Sequence, residues 1–425
     1  MRHRLRFLTG LILTGLILAA LPPRPTLAGQ APAGANPSAD ERVALLRREL
    51  DALRQEYATR MAAIEEKLAA IEAARAAAPT PAAAAPAEPA PPPPAVAQAA
   101  PATASKVFNP DMAAIGNFVG AAGESPGGGE PSLNMQEAEL SFQAVVDPYA
   151  RADFFVTLSP EEVALEEGYI TFTALPGGFL TKVGRMRDAF GKVNGMHPHT
   201  MPWVDRPLVT RNLTGGEDGL ADAGISVARL IPNPWLFLEA TGQVYQGNSA
   251  IFQAPTRGDL AYVGHLRAYQ DLGESTNIDL GGSVAYGHNG LTADTTTRLL
   301  GVDAALRWKP LRRSIYTHFL ARGELTWSRA EEEAGSLGAL GGYGYLEYQF
   351  ARRWTGGVRY DSSERALAPG LRDTGGSFLV TFRPSEFSLV RAQYRRTSLA
   401  DADQPFNELL FQLQFAIGAH GAHPF

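Results

Sequence analysis

Two histidines flank a proline at His197-Pro198-His199, and Asp205 follows in the same segment. Imidazole and carboxylate together make a donor set that a divalent transition metal accepts. The i, i+2 spacing across a proline gives only two nitrogen ligands, however, and no third ligand beyond Asp205 is evident nearby. A hydrogen-bonded structural role for His197 and His199 therefore outweighs a metal role. His420 and His423 near the C-terminus form a similarly incomplete pair. The segment from about 191 to 219 also carries Lys192, Arg206 and Arg211, with Trp203, Leu208, Val209, Met196 and Met201 among them. So many apolar side chains do not suit a solvated loop. Packing against an interior wall would bury them and leave Lys192, Asp205, Arg206 and Arg211 to face a passing solute.

Other charges recur at alternate positions and separate by sign along the chain. Glu137, Glu139, Asp153, Glu167, Asp222 and Glu239 come early, against Arg151. Arg267, Arg307, Lys309, Arg322, Arg359, Arg383, Arg391 and Arg395 come late, against Asp279, Asp303, Glu324 and Asp361. On opposite walls of a water-filled channel they would set up a transverse field favouring polar and charged solutes. The plainer alternative is that they pair across strands and fill a hydrated interior. No His-Glu-x-x-His pair and no phosphate-cradling glycine loop occurs, so neither an enzyme nor a cofactor is expected.

The elements that would position these charges follow one rhythm from about residue 107 onward. Roughly ten residues alternate apolar and polar, then the chain turns. Leu300, Val302, Ala304, Leu306 and Trp308 share one face, while Gly301, Asp303, Ala305, Arg307 and Lys309 share the other. The connections alternate as well, short then long. Asp147-Pro148, Pro176-Gly177-Gly178, Pro232-Asn233-Pro234 and Pro384-Ser385-Glu386 are among the short ones. This double rhythm predicts an all-β transmembrane fold: an antiparallel outer-membrane β-barrel of about sixteen strands over 107–425. The first strand falls near 110–121 and the last near 407–417. On the outward face, Trp308, Trp327, Trp354, Tyr360 and Phe382 are placed for interfacial girdles. The 191–219 segment becomes the third long connection. A soluble sheet sandwich would need a second layer over every apolar face.

Three further segments precede the barrel. Residues 1–28 read as a signal peptide, with Arg2, Arg4 and Arg6 before an apolar run and Thr26-Leu27-Ala28 at the cleavage position. Residues 40–75 carry Val43, Leu46, Leu50, Leu53 and Tyr57, then Met61, Ile64, Leu68 and Ile71, a heptad seam with one stutter. Self-association would bury that seam, and a parallel trimer is the preferred form. Residues 76–104 are almost wholly Ala and Pro, a semi-rigid linker reaching on the order of 90 Å when extended. The coiled coil would then stand in the periplasm, in contact with the cell wall or a periplasmic partner. Net charge is −6, which argues against nucleic acid, and the chain of 425 residues has no cysteine. Outer-membrane lipid and lipopolysaccharide are the expected surroundings.

Val107-Phe108-Asn109-Pro110-Asp111, Gly184-Arg185-Met186-Arg187 leading to Phe190-Gly191, and the ending Phe411–Phe425 resemble phosphate-selective-porin-like outer-membrane proteins. The resemblance covers 107–425 and implies a homotrimeric sixteen-stranded porin whose third long loop narrows the pore. Phosphate selectivity is not carried over, because acids here offset much of the basic set. The expected function is passive diffusion of small hydrophilic or charged solutes. The alternative is a structural envelope tether whose barrel anchors the coiled coil. A TonB-dependent receptor would need about 22 strands and a plug, more than this length supplies.

Overall fold

The computed structural model describes Gln55 and residues 110–126, 132–159, 162–216, 219–292 and 294–418. The chain divides into two units, residues 1–98 and 99–425, and the second holds the fold described here. The expected signal peptide at 1–28 and linker at 76–104 lie outside the described residues, as does the coiled coil at 40–75 apart from Gln55. So do Val107, His420, His423 and Phe425.

Sixteen strands follow one another: β1 (Asp111–Gly123), β2 (Leu133–Asp147), β3 (Ala150–Leu158), β4 (Val163–Phe172), β5 (Phe179–Arg187), β6 (Ala221–Leu230), β7 (Phe237–Tyr245) and β8 (Ala261–Gly273). Then come β9 (Thr276–His288), β10 (Thr296–Trp308), β11 (His318–Glu332), β12 (Gly335–Ala351), β13 (Trp354–Arg365), β14 (Ala368–Ser385), β15 (Ser388–Ser398) and β16 (Phe406–Gly418). Each pairs antiparallel with its sequence neighbours, and β1 pairs with β16, so the sheet closes into a barrel. Closure gives every strand two partners and leaves no open edge. Among the described residues of the barrel unit, one short α-helix occurs, α1 (Leu208–Leu213), within the segment that joins β5 to β6.

The period-two pattern sorts side chains as the sequence predicts. On β10, Leu300 and Val302 point outward and are about half exposed, while Leu299, Asp303 and Ala305 are buried inside. Trp308, Trp327, Trp354 and Tyr360 also lie on the exposed outer face, and Trp354 stacks on Phe382 with ring centroids 4.6 Å apart. Two connections differ from expectation. The links after β11 and β13 are only Glu333-Ala334 and Ala366-Leu367, tight turns where long loops are predicted. Ladder pairing simply continues, from Leu337–Ala330 to Gly335–Glu332 and through Arg372–Glu364, since the polar residues there still offer two usable faces.

One irregularity matters for the interior. Between β3 and β4 the register passes from Phe155–Glu167 to Val156–Leu165 and skips Glu166. This β-bulge puts an extra residue in β4 and lets two consecutive side chains reach the same side.

Candidate functional site

The 188–220 segment does not remain outside the barrel; it crosses the lumen, and the strand side chains accept its backbone as it goes. Ala189 donates its N–H to Gln243 on β7 (2.7 Å) and Gly191 to Ser283 on β9 (2.9 Å). Lys192 and Val193 both donate to Glu324 Oε1 on β11 (2.8 Å each). Val204 then donates to Gln393 on β15 (2.9 Å), and Leu208, at the start of α1, to Asp361 on β13 (3.3 Å). Asn194 closes the neck, donating to the carbonyls of Asp188 and Leu220 and accepting from Leu220 N–H. Each bond satisfies a backbone group that burial would otherwise strand. Gly191 has φ +63°, and a Cβ there would stand 2.5 Å from Glu324 Oε2. A side chain at this position would displace the carboxylate that receives the next two amides.

Apolar contacts fix the same path. Trp203 is fully buried and meets Tyr343 and Tyr345 edge-on, with ring centroids 5.3 and 4.9 Å away. Val193, Met196, Met201, Val209 and Leu213 complete this cluster against β12 and β14. Phe190 and Leu220 join a second cluster with Met186, Tyr245, Phe252 and Leu299.

Ion pairs then tie the loop to two stretches of the wall. Lys192 Nζ lies 3.1 Å from Asp279 on β9 and 3.0 Å from Asp303 on β10. Asp205 accepts from Arg359 Nη2 (2.7 Å), Arg395 Nη1 (2.9 Å) and Gln393. Burial alone would raise the Asp205 carboxyl, but the Arg359 and Arg395 guanidiniums hold it well below the usual carboxylate range. Arg359 also pairs with Asp361 (2.7 Å) and Arg395 with Glu408. Arg391 reaches Thr381, the Met201 carbonyl and Gln412. Arg267 pairs with Asp279 (2.7 Å), Arg322 is buried beside Met196, and Arg307 is half-buried on the lumen face of β10.

The histidines meet a different wall. A 3-10 turn at Pro198–Thr200 presents them to β2 and β4. His197 Nδ1 lies 2.8 Å from Glu139 Oε2 and 3.2 Å from Glu166 Oε2, and its Nε2 lies 2.8 Å from Glu167 Oε2. Burial alone would lower the His197 pKa, but hydrogen bonds to Glu139, Glu166 and Glu167 raise it well above the ordinary value. His199 Nδ1 lies 2.9 Å from Glu137 Oε1 and 3.6 Å from Glu139 Oε2. Arg187 pairs with Glu166 and donates its backbone N–H to Glu167 (2.8 Å). At the loop's start, Asp188 is pushed up to about 8 by burial, with Asp222 nearby adding to the rise.

Two placements correct the sequence reading, and a third settles a direction that alternation leaves open. Asp205 does not join the histidines; after Met201 the chain turns away, and two arginines hold it against β13 and β15. Arg206 does not face a solute, because it is fully buried and donates to the carbonyls of Val193 (3.4 Å) and Met196 (3.0 Å) in its own loop. Arg187 turns inside and Arg185 donates to the Leu165 carbonyl, although the two share a parity. Strict alternation assigns Glu166 outward; the adjacent carboxylates Glu166-Glu167, which break the period, are the sequence signal for its inward turn.

A cavity of about 420 Å³ remains between the loop and the β2–β5 wall, lined by Arg151, Asp153, Lys182, Asp188 and His197 among others. A second, of about 380 Å³, lies between α1 and the walls of β9–β11 and β13, with Arg211, which is exposed, at its border.

No family model matches the chain. An uncharacterized protein of Aquifex aeolicus (strain VF5) is 29% identical over 337 residues, covering 69% of this chain and 70% of that protein. The trimer form of in-vitro folded OmpT, an outer membrane protein of Vibrio cholerae, superposes with a TM-score of 0.50 at 9% identity, over 73% of this chain and 100% of that one. An anion-selective porin from Comamonas acidovorans gives 0.51 at 10% identity, over 72% and 99%. At such identities the likeness is one of fold.

Two outcomes are expected. Gly191→Ala should loosen the loop by on the order of 1–3 kcal/mol, so limited proteolysis should cut within 191–219 faster than in the wild type while the barrel resists heat equally. Asp205 has a depressed pKa when folded, so its contribution is present above the ordinary carboxyl value of 3.8 and is lost as pH falls further. Loop proteolysis should therefore rise below about pH 4 in the wild type, and Asp205→Asn should be fast already at neutral pH.

Proposed function

We propose that this chain is an outer-membrane porin through which small hydrophilic or charged solutes diffuse. The observation that carries this reading is a closed sixteen-strand barrel, apolar outside and charged inside, whose lumen is crossed by the inward-folded 188–220 segment. Apolar strand faces suit hydrocarbon, and a barrel alone among sheets satisfies every backbone group there. On this reading outer-membrane lipid and lipopolysaccharide surround the barrel, and residues 1–28 direct export. Residues 40–75 stand in the periplasm as a coiled coil on the 76–104 linker, and three chains associate.

Solutes would pass beside the loop along the β2–β5 wall, where Arg151, Asp153, Lys182 and Asp188 border the 420 Å³ cavity. The proposed constriction is set by Lys192, Asp205 and Arg211 on the loop, with Arg267, Arg307, Arg322, Arg359, Arg391, Arg395, Glu137, Glu139 and Glu167 on the walls. Most of these are paired, between the loop and the wall or between neighbouring strands, which weakens a uniform transverse field. Mixed charge at close quarters favours polar solutes over apolar ones without fixing the sign. The fully buried Trp203 and Arg206 show how densely the loop packs, and that density favours a second reading. In it, the barrel is closed and serves as an anchor for the coiled coil.

Planar-bilayer recording separates the two. The porin reading expects stepwise openings in groups of three, with conductance rising several-fold on deletion of 195–212; a silent wild-type barrel would leave the tether. Deleting 40–75 should leave conductance intact. Leu325 faces outward at mid-strand while its neighbour Thr326 faces in. Leu325→Arg should cost about 2–4 kcal/mol of stability in lipid, measured by urea titration in vesicles.

A further inference from the structure

We propose that Glu137, Glu139 and His199 form a site for one divalent transition-metal ion of the zinc type, where the long loop meets β2. Glu137 and Glu139 are two apart on β2 and project from the same inner face. His199 comes down on them from the 3-10 turn. One ligand atom from each of the three lies within 4.8 Å of the other two, and all three residues are buried. A tetrahedral ion with bonds of about 2.0–2.1 Å needs donors roughly 3.3 Å apart. The observed separations from His199 Nδ1, 2.9 Å to Glu137 and 3.6 Å to Glu139, bracket that spacing. One imidazole and two carboxylates match the donor preference of Zn²⁺, Co²⁺ or Mn²⁺ and leave a coordination position for water.

A second observation points to a ligand. Glu139 Oε1 is buried and has no hydrogen-bond partner among the described residues. It belongs to the carboxylate whose Oε2 lies 3.6 Å from His199 Nδ1, and an ion that draws in Oε1 beside Oε2 would satisfy this otherwise costly buried oxygen. The adjoining group of Glu139, Glu166 and His197 has the same donor types but a different setting. Arg187 already neutralises Glu166, and both ring nitrogens of His197 face carboxylates. A ring that donates from both nitrogens has no lone pair for a metal. His197 instead holds the Glu139 carboxylate from outside the coordination sphere. The ion thus belongs on the His199 side. It would fasten the loop to β2 whether or not solutes cross the barrel, so this proposal stands apart from the porin reading.

The test uses the full chain refolded in detergent, free of lipopolysaccharide. Co²⁺ is titrated while its visible absorption bands are followed, and Zn²⁺ is then added as competitor. The expected result is one Co²⁺ per chain, displaced by Zn²⁺, with affinity at least ten-fold weaker in His199→Ala and in the near-isosteric Glu137→Gln and Glu139→Gln. His288→Ala, whose ring pairs with Asp259 elsewhere, should bind as the wild type does. Heat-modifiable gel mobility identifies folded variants, and the glutamine variants keep the test decisive if His199→Ala fails to fold. Absence of saturable Co²⁺ binding to the folded wild type overturns the proposal. So does unchanged affinity in the folded glutamine variants.

Discussion

A buried loop is possible only if something accepts its backbone, and this requirement organises the interior of the barrel. Gln243, Ser283, Glu324, Gln393 and Asp361 each take at least one loop N–H, and they come from five different strands. A barrel lined by aliphatic side chains could not host the 188–220 segment, since each unpaired amide would cost on the order of 1–3 kcal/mol. Glu324 carries the largest share: its Oε1 receives two successive amides and the Tyr343 hydroxyl. That focus explains the backbone at Gly191, where left-handed φ and the lack of a Cβ let the chain turn over the carboxylate.

Charge follows from the same requirement. Acceptors such as Glu324, Asp361 and Asp205 bring negative charge into a confined space, and Arg359, Arg395 and Lys192 lie where they can balance it. Buried ion pairs of this kind contribute little net stability, because desolvation offsets much of the attraction. Their value is in register. Asp205 has one set of partners that satisfies it, spread over β13 and β15, so the loop has one place to lie. Trp203 reinforces the choice, with Tyr343 and Tyr345 at its edges and the Arg359 guanidinium 5.0 Å from its ring centroid.

Much of this was legible in the sequence, and the part that was not has a physical cause. Strand number and strand phase follow from period-two alternation and turn residues, and the loop's inward packing from its run of apolar side chains; all are local signals. The lumen positions of Glu137, Arg359 and Arg395 follow directly from that phase. Pairing is a different matter. Nothing local tells Asp205 to leave His199 and join Arg395, a residue nearly two hundred positions away in sequence; that choice depends on the loop's path across the barrel. Arg206 shows the same limit, since its partners are its own loop's carbonyls and only the folded loop brings them within reach. The turns after β11 and β13 escaped because polar alternation there looks like loop until the ladder is seen to continue.

The histidine wall shows how a small local fault can reshape a site. Had β4 kept strict alternation, Glu166 would point outward and His197 would face carboxylates from Glu139 and Glu167 alone. The bulge brings in a further acid, and Arg187 comes with it. That arginine divides one cluster of four glutamates and two histidines into unlike halves. On one side, His197 is locked among carboxylates with a cation beside them. On the other, His199, Glu137 and Glu139 keep an oxygen with nothing to bond. The single extra residue therefore separates a structural clamp from the group that can take a ligand, and it does so in the wall against which the third long connection folds.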